Sequence, residues 1–248
     1  MVIVSTLGDR LRAWVAATGI DPMLVPAVGE VAARFDAAAD PCRPGVDPRQ
    51  IDSWERRHGF ALPAGLRAWL VLSNGFYRND APLIHPLSAI GPMVPFAHVP
   101  DLVVQPESWF ELGNPNVETV CIDLAYRWPG PDGGNPIFTS GDDQAQSPPR
   151  LIATSFDAWF LELLRRGGRE YWFDPDFTAL GDPWTEHRRH TPAPPLPDRL
   201  RPLAPQVRPL MRPGADDLSI ATTLGITRGD VEALFRHLQH SPRGFAGP

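Results

Sequence analysis

The sequence contains no lysine; all 23 of its basic residues are arginine. It has two cysteines, Cys42 and Cys121, too few and too far apart for a disulfide framework or a zinc site. The expected setting is a reducing cytoplasm. No apolar run approaches the ~18 residues that a membrane-spanning helix requires, so no membrane contact is expected. The opening residues, MVIVSTLGDRLRAW, lack the basic segment and long apolar core of a secretory signal. The exclusive use of arginine reads as the coding bias of a GC-rich genome and leans toward a bacterial source.

Catalytic patterns are missing as well. There is no glycine-rich phosphate loop and no Gly-x-Ser-x-Gly elbow. His187/His190 and His237/His240 can each share a helix face, but neither pair has a third donor near it, and zinc needs three or four. Asp142-Asp143 reads as a solvated hairpin tip rather than a metal-binding pair. No enzyme activity, metal or cofactor is expected.

What is present is a chain of 248 residues, 43 % hydrophobic and 21 % charged, long enough to bury a full core. Its 30 prolines are more than double the usual share of roughly 5 %. The net charge of −6 is unevenly placed. Residues 1–186 carry 24 acidic side chains and 14 arginines, and residues 187–248 carry 5 and 9. An acidic body with a mildly basic tail favours a basic partner for the body and disfavours nucleic acid there.

Residues 1–40 read as an N-terminal helical extension. Its first helix, 7–18, has Leu7, Leu11, Trp14 and Val15 on one face; its second, 24–39, has Val28, Val31 and Phe35. Residues 41–190 follow as the main domain. Its key stretch is DPRQIDSWERRHGFALPAGLRAWLVLSNGFY, Asp47 to Tyr77. Asp47 suits an N-cap and Pro48 a first helical position. Ile51 and Trp54 anchor that helix, and Gly59 caps its end. Leu62-Pro63 starts an apolar helix through Trp69 and Leu70, which Asn74-Gly75 stops. A strand around Leu83-Ile84 leads to Pro86-Leu87. Trp109–Leu112 and Val120–Leu124 read as strands around the turn Gly113-Asn114-Pro115-Asn116, and Ile137-Phe138 opens another. Ser155 caps a helix on which Phe156, Trp159, Phe160, Leu163 and Leu164 recur at three- and four-residue spacing.

This pattern resembles the SUKH superfamily, the Smi/Knr-type domain. The matching residues are Ile51, Glu55, Gly59, Leu62, Pro63, Trp69, Leu70, Asn74, Gly75, Pro86, Leu87, Gly113, Asn114, Asp123, Ser155 and Phe156. They are mainly structural. Val117-Glu118 stands where family members often carry Gly-Asp. The resemblance implies an α+β fold, with helices packed on a twisted, mainly antiparallel sheet. It also implies one of two non-catalytic roles: a bacterial immunity-type protein that neutralises a toxin, frequently a nuclease, or a cell-wall and signalling scaffold. Trp109 and Trp128, on strand ends, are the candidate partner contacts, because aromatic side chains dominate protein interfaces.

Residues 191–214 hold nine prolines or glycines. Leu200, Leu203, Val207 and Leu210 have helical spacing, but Pro202, Pro205 and Pro209 argue against a helix. The expectation is a semi-rigid extended linker of up to roughly 70 Å, at about 3.1 Å per residue. Residues 215–248 follow as a small helical segment, in which Ile220, Ala221, Gly225, Ile226, Val231 and Leu234 have helix-turn-helix spacing. Arg228 and Arg236 are the candidate DNA contacts of an alternative reading, a transcriptional regulator. Asp230 and Glu232 beside them weigh against it.

Overall fold

A computed structural model describes residues 6–21, 41–78, 80–93, 105–116, 118–141, 148–210 and 216–240. The helix expected over 24–39 and the Asp142-Asp143 tip lie outside these residues. The chain divides into two units. The first comprises Met1–Met93 and Ser108–Pro183, the second Val94–Glu107 and Trp184–Pro248.

The first unit has the expected α+β class. Helix α1 (Leu7–Thr18) is capped by Thr6 and ended by Gly19 at φ 69°. It is no appendage: Leu7, Leu11 and Trp14 lie in the main core, and Trp14 Nε1 donates to the Gly65 carbonyl at 2.8 Å. The Arg10 guanidinium donates to the Arg43 carbonyl (2.6 Å) and to the Leu72 carbonyl. Helix α2 (Pro48–His58) opens with a capping box between Asp47 and Gln50 and closes on Gly59 at φ 75°. Helix α3 (Ala64–Leu72) follows, with Leu66, Trp69 and Leu70 buried.

Two antiparallel sheets follow. β1 (Phe76–Arg78) pairs with β2 (Ala81–Ile84), and β3 (Trp109–Gly113), β4 (Val120–Asp123), β5 (Ile137–Thr139) and β6 (Arg150–Ala153) pair in chain order. The sheets meet at β2 and β3, where His85 N–H donates to the Leu112 carbonyl (2.7 Å) and Asn114 N–H to the Pro82 carbonyl (2.8 Å). Gly113 permits that approach, since a Cβ there would stand 2.1 Å from the Leu83 oxygen. The free edge of β6 is covered by Leu180 and Gly181, which exchange backbone hydrogen bonds with Leu151. A paired edge has no open backbone groups to template aggregation.

Helix α4 (Phe156–Arg165) is capped by Ser155. Its Phe160 meets the rings of Trp14 (5.0 Å), Trp69 (4.8 Å) and Phe76 (5.7 Å) edge to face, and so joins α1, α3 and β1 in one aromatic core.

The second unit starts within helix α5 (Pro183–His190), so the boundary expected at 190 falls earlier. The extended linker is also corrected. Arg201–Leu203, Ala204–Val207 and Arg208–Leu210 are consecutive helical turns. Pro202, Pro205 and Pro209 each take the second position of a new turn, where a missing N–H costs nothing. The prolines break one long helix into three short ones without preventing helical geometry. Leu196, Leu200 and Val207 are thereby buried against the last two helices, α6 (Asp217–Leu224) and α7 (Arg228–Gln239). Between these helices Gly225 turns the chain at φ 65°, and Ile220, Ala221, Val231 and Leu234 are buried as their spacing predicts.

Among the described residues, no helix is long and apolar enough to cross a membrane.

Candidate partner-binding surface

The residues of the SUKH-like pattern are structural in their contacts. Glu55 Oε1 accepts from Leu62 N–H (2.9 Å) and Oε2 from Arg67 (2.8 Å), which ties α2 to the start of α3. Asn74 Oδ1 accepts from Leu87 N–H at 2.8 Å. Gly75 has φ 101°. Ile51, Leu62, Trp69, Leu70, Leu87 and Phe156 are buried. Pro63 stands at the head of α3, and the Pro86 carbonyl accepts from Ala89 N–H at 2.8 Å. Glu118, where the family pattern differs, is buried and pairs with Arg150 at 3.3 Å.

Trp109 is not a surface contact. It is 1 % exposed, its ring centroid lies 4.5 Å from that of Phe138, and its Nε1 donates to Asp123 Oδ2 at 2.9 Å. Asp123 also accepts from Ser108 Oγ (2.8 Å) and Ala125 N–H (2.9 Å). A buried carboxylate so fully hydrogen-bonded fixes an indole in the core. Position at a strand end says nothing of the face a side chain takes, and Trp109 points inward. Trp128 is half-buried, beside a tight loop where Trp128 N–H donates to the Gly134 carbonyl at 2.7 Å.

Among the described residues four large apolar side chains are exposed, Val71, Phe173, Leu180 and Leu218, and two of them, Phe173 and Leu180, lie together on the strap that follows α4. Tyr171 and Trp172 are buried, but the 3₁₀ turn they begin leaves Phe173 45 % exposed, and Leu180 is 44 % exposed. The Phe173 ring lies 5.4 Å from the Arg150 guanidinium, and Leu180 is bonded through its backbone to the next residue, Leu151. Both therefore flank the start of β6. The strap also carries Asp174, Asp176 and Asp182. The sequence of this strap, YWFDPDFTALGD, carries no local signal for which ring faces outward.

A cleft of about 750 Å³ lies elsewhere in the same unit. The carboxylates of Asp21, Asp132, Asp157 and Glu162 outnumber the guanidinium groups of Arg127 and Arg165 along its wall. Burial pushes the Asp157 carboxyl above its ordinary range, and Arg127 offsets this only in part. Asp157 Oδ1 is shut against Gly65, where a Cβ would stand 1.6 Å away, and has no hydrogen-bond partner. A desolvated, incompletely paired carboxylate attracts cations. The Cys121 thiol is fully buried, and burial holds its pKa well above normal, so it is no nucleophile.

In the second unit, both candidate DNA contacts are engaged by carboxylates. Arg228 pairs with Asp217 at 2.8 Å, and Arg236 pairs with Glu107 and, at 3.6 Å, with Glu232. Asp230 closes a capping box with Thr227 and grips Arg199 in a two-bonded fork (2.6 and 3.0 Å). The expected histidine pairs recombine: His187 of α5 and His240 after α7 come together with ring centroids 5.3 Å apart. Among the described residues no three metal-ligating side chains converge.

No protein-family model matches this chain, and no curated protein matches it.

Proposed function

We infer that this is a non-catalytic protein-binding module of the SUKH kind, acting in the bacterial cytoplasm as an immunity-type protein. Its acidic first unit binds a basic toxin domain, a nuclease being the kind that the SUKH resemblance implies. The observation that carries this reading is the strap bearing the exposed Phe173 and Leu180, on a segment that also carries Asp176, Asp182 and the Arg166-paired Asp174, in a unit of acidic net charge. Apolar anchors inside a charged rim hold a partner, while the rim's sign speeds capture and selects for basic surfaces. Phe173 replaces Trp109 as the anchor.

A DNA-reading role for the second unit has less support. Arg228 and Arg236 spend their charge on carboxylates, and phosphate binding would have to displace them.

The test is the double variant Phe173→Glu/Leu180→Glu, measured against the basic protein that the native chain captures from lysate. The expected loss of affinity is at least about thirtyfold, the scale of an interface hot spot. Unchanged affinity in a folded variant would remove the strap from the interface.

A further inference from the structure

Every side chain lining one depression of the first unit is an arginine. The cavity, about 420 Å³, is bounded by Arg78, Arg165, Arg166, Gly167 and Arg169. It stands out on a body whose charge is otherwise acidic. Four guanidinium groups around one space repel one another and need a reason to converge.

Part of the reason is local. Arg165 and Arg166 close the last turn of α4, where cations offset the helix dipole. Gly167 and Gly168, at φ 64° and 78°, fold the chain back, with Gly168 N–H donating to the Leu163 carbonyl at 2.8 Å. Carboxylates hold three of the arginines from outside. Glu162 takes Arg165 (3.2 Å) and Arg166 Nε (2.9 Å), Asp174 takes Arg166 Nη1 (2.9 Å), and Glu170 lies 3.8 Å from Arg78. None of the three acids lines the cavity. They orient guanidinium groups around a space that they do not fill.

Donors are left over. Arg169 makes one weak contact, Nε to the Arg166 carbonyl at 3.4 Å, and faces no carboxylate among the described residues. Arg78 spends a single nitrogen, Nη1, on the Gly168 carbonyl (3.3 Å) and Glu170. Planar guanidinium forks match phosphoryl oxygens two at a time. The donors left on Arg78 and Arg169, with Arg165 and Arg166 beside them, exceed what one small monoanion can satisfy.

We propose that this arginine-lined depression binds a small ligand carrying two or more phosphoryl groups. The site is distinct from the exposed Phe173 and Leu180 side chains, although Asp174 of the strap orients Arg166 at its wall, and it needs no toxin.

The experiment is calorimetric titration of the full-length protein with orthophosphate, pyrophosphate, tripolyphosphate and ATP, at low and moderate salt. Tripolyphosphate is expected to bind more tightly than orthophosphate. Arg169→Ala and Arg78→Ala are each expected to weaken it about tenfold, the scale of a lost charge-assisted hydrogen bond. Arg49→Ala, an exposed arginine elsewhere in the unit, should leave binding unchanged. ATP binding more tightly than tripolyphosphate would identify the source as a nucleotide; equal affinity would point to free oligophosphate. No heat with any phosphate on folded protein, or equal losses in all three variants, would overturn the proposal. So would tight binding of a single-stranded oligonucleotide without binding of tripolyphosphate.

Discussion

The two units solve the problem of holding helices together by different means. The first buries Trp14, Trp54, Trp69, Trp109, Trp159 and Trp172 in or beside its sheet, and the edge-to-face contacts of Phe160 tie its helices together. The second has, among the described residues, one fully buried aromatic ring, Phe235, over an aliphatic core. It adds polar fastenings: the Arg199–Asp230 fork, the Thr227 capping box and the His187–His240 contact. Aromatic burial is insensitive to pH, whereas ion pairs and imidazoles titrate. The first unit has ion pairs too, Glu55–Arg67 and Glu118–Arg150, and burial lowers the pKa of its His85, but its larger aromatic core leaves it less dependent on groups that titrate.

The largest expected effect breaks the aromatic side. Trp14→Ala leaves a cavity beside Phe160 and should cost about 3–5 kcal/mol, the range for a buried large aromatic. Chemical denaturation followed by tryptophan fluorescence measures it. A cost under about 1 kcal/mol, the scale of an exposed site, would show that α1 is not part of the core.

Acidification sharpens the comparison from the other side. Burial lowers the pKa of His240, and the nearby His187, Arg188 and His237 add to this against the pull of the Arg236 carbonyl. Below the ordinary value of 6.5 the unfolded chain therefore takes up the proton first, and the fold loses stability as pH falls. Arg199 holds Asp230 well below the usual carboxylate range. Its stabilisation is present at pH above about 4, the unfolded value, and is lost as pH falls through the folded one. The second unit is expected to lose protected amides in hydrogen exchange between pH 7 and 5, ahead of the first. Simultaneous loss in both units would contradict the contrast.

The smallest effect concerns the cleft. The raised pKa of Asp157 means that its ionised form costs stability, so the group favours the fold below the unfolded pKa and disfavours it as pH rises. Asp157→Asn should stabilise the protein at pH 7 by about 0.5–2 kcal/mol, because it removes a desolvated charge. Thermal unfolding at pH 7 measures this, and a destabilised variant would mean that the carboxylate has a partner there.

Much of the first unit was legible because its signals are local. Asp47, Gly59, Pro63, Gly75 and Ser155 punctuate helices by backbone geometry alone, and they do so in the structure. Two strands were missed. Phe76–Arg78 was absorbed into the preceding turn, and Leu151-Ile152 in β6 is too short an apolar run to distinguish strand from helix start. The Pro-rich stretch was misread because proline was counted as a breaker, when its place in each turn made it a starter. The surface was the least legible. Whether Trp109 or Phe173 faces water depends on contacts distant in the chain, with Asp123 across the sheet and with Arg150 at the start of β6 respectively, and no local pattern records it.

Affinity capture on full-length protein and on Phe173→Glu/Leu180→Glu, at low and high salt, decides whether the strap binds a partner. The native bait should retain a basic protein at both salts, and the variant should release it. Capture of DNA and its attendant proteins by both baits, lost at high salt, would contradict that expectation and move the function to the helices of residues 217–239.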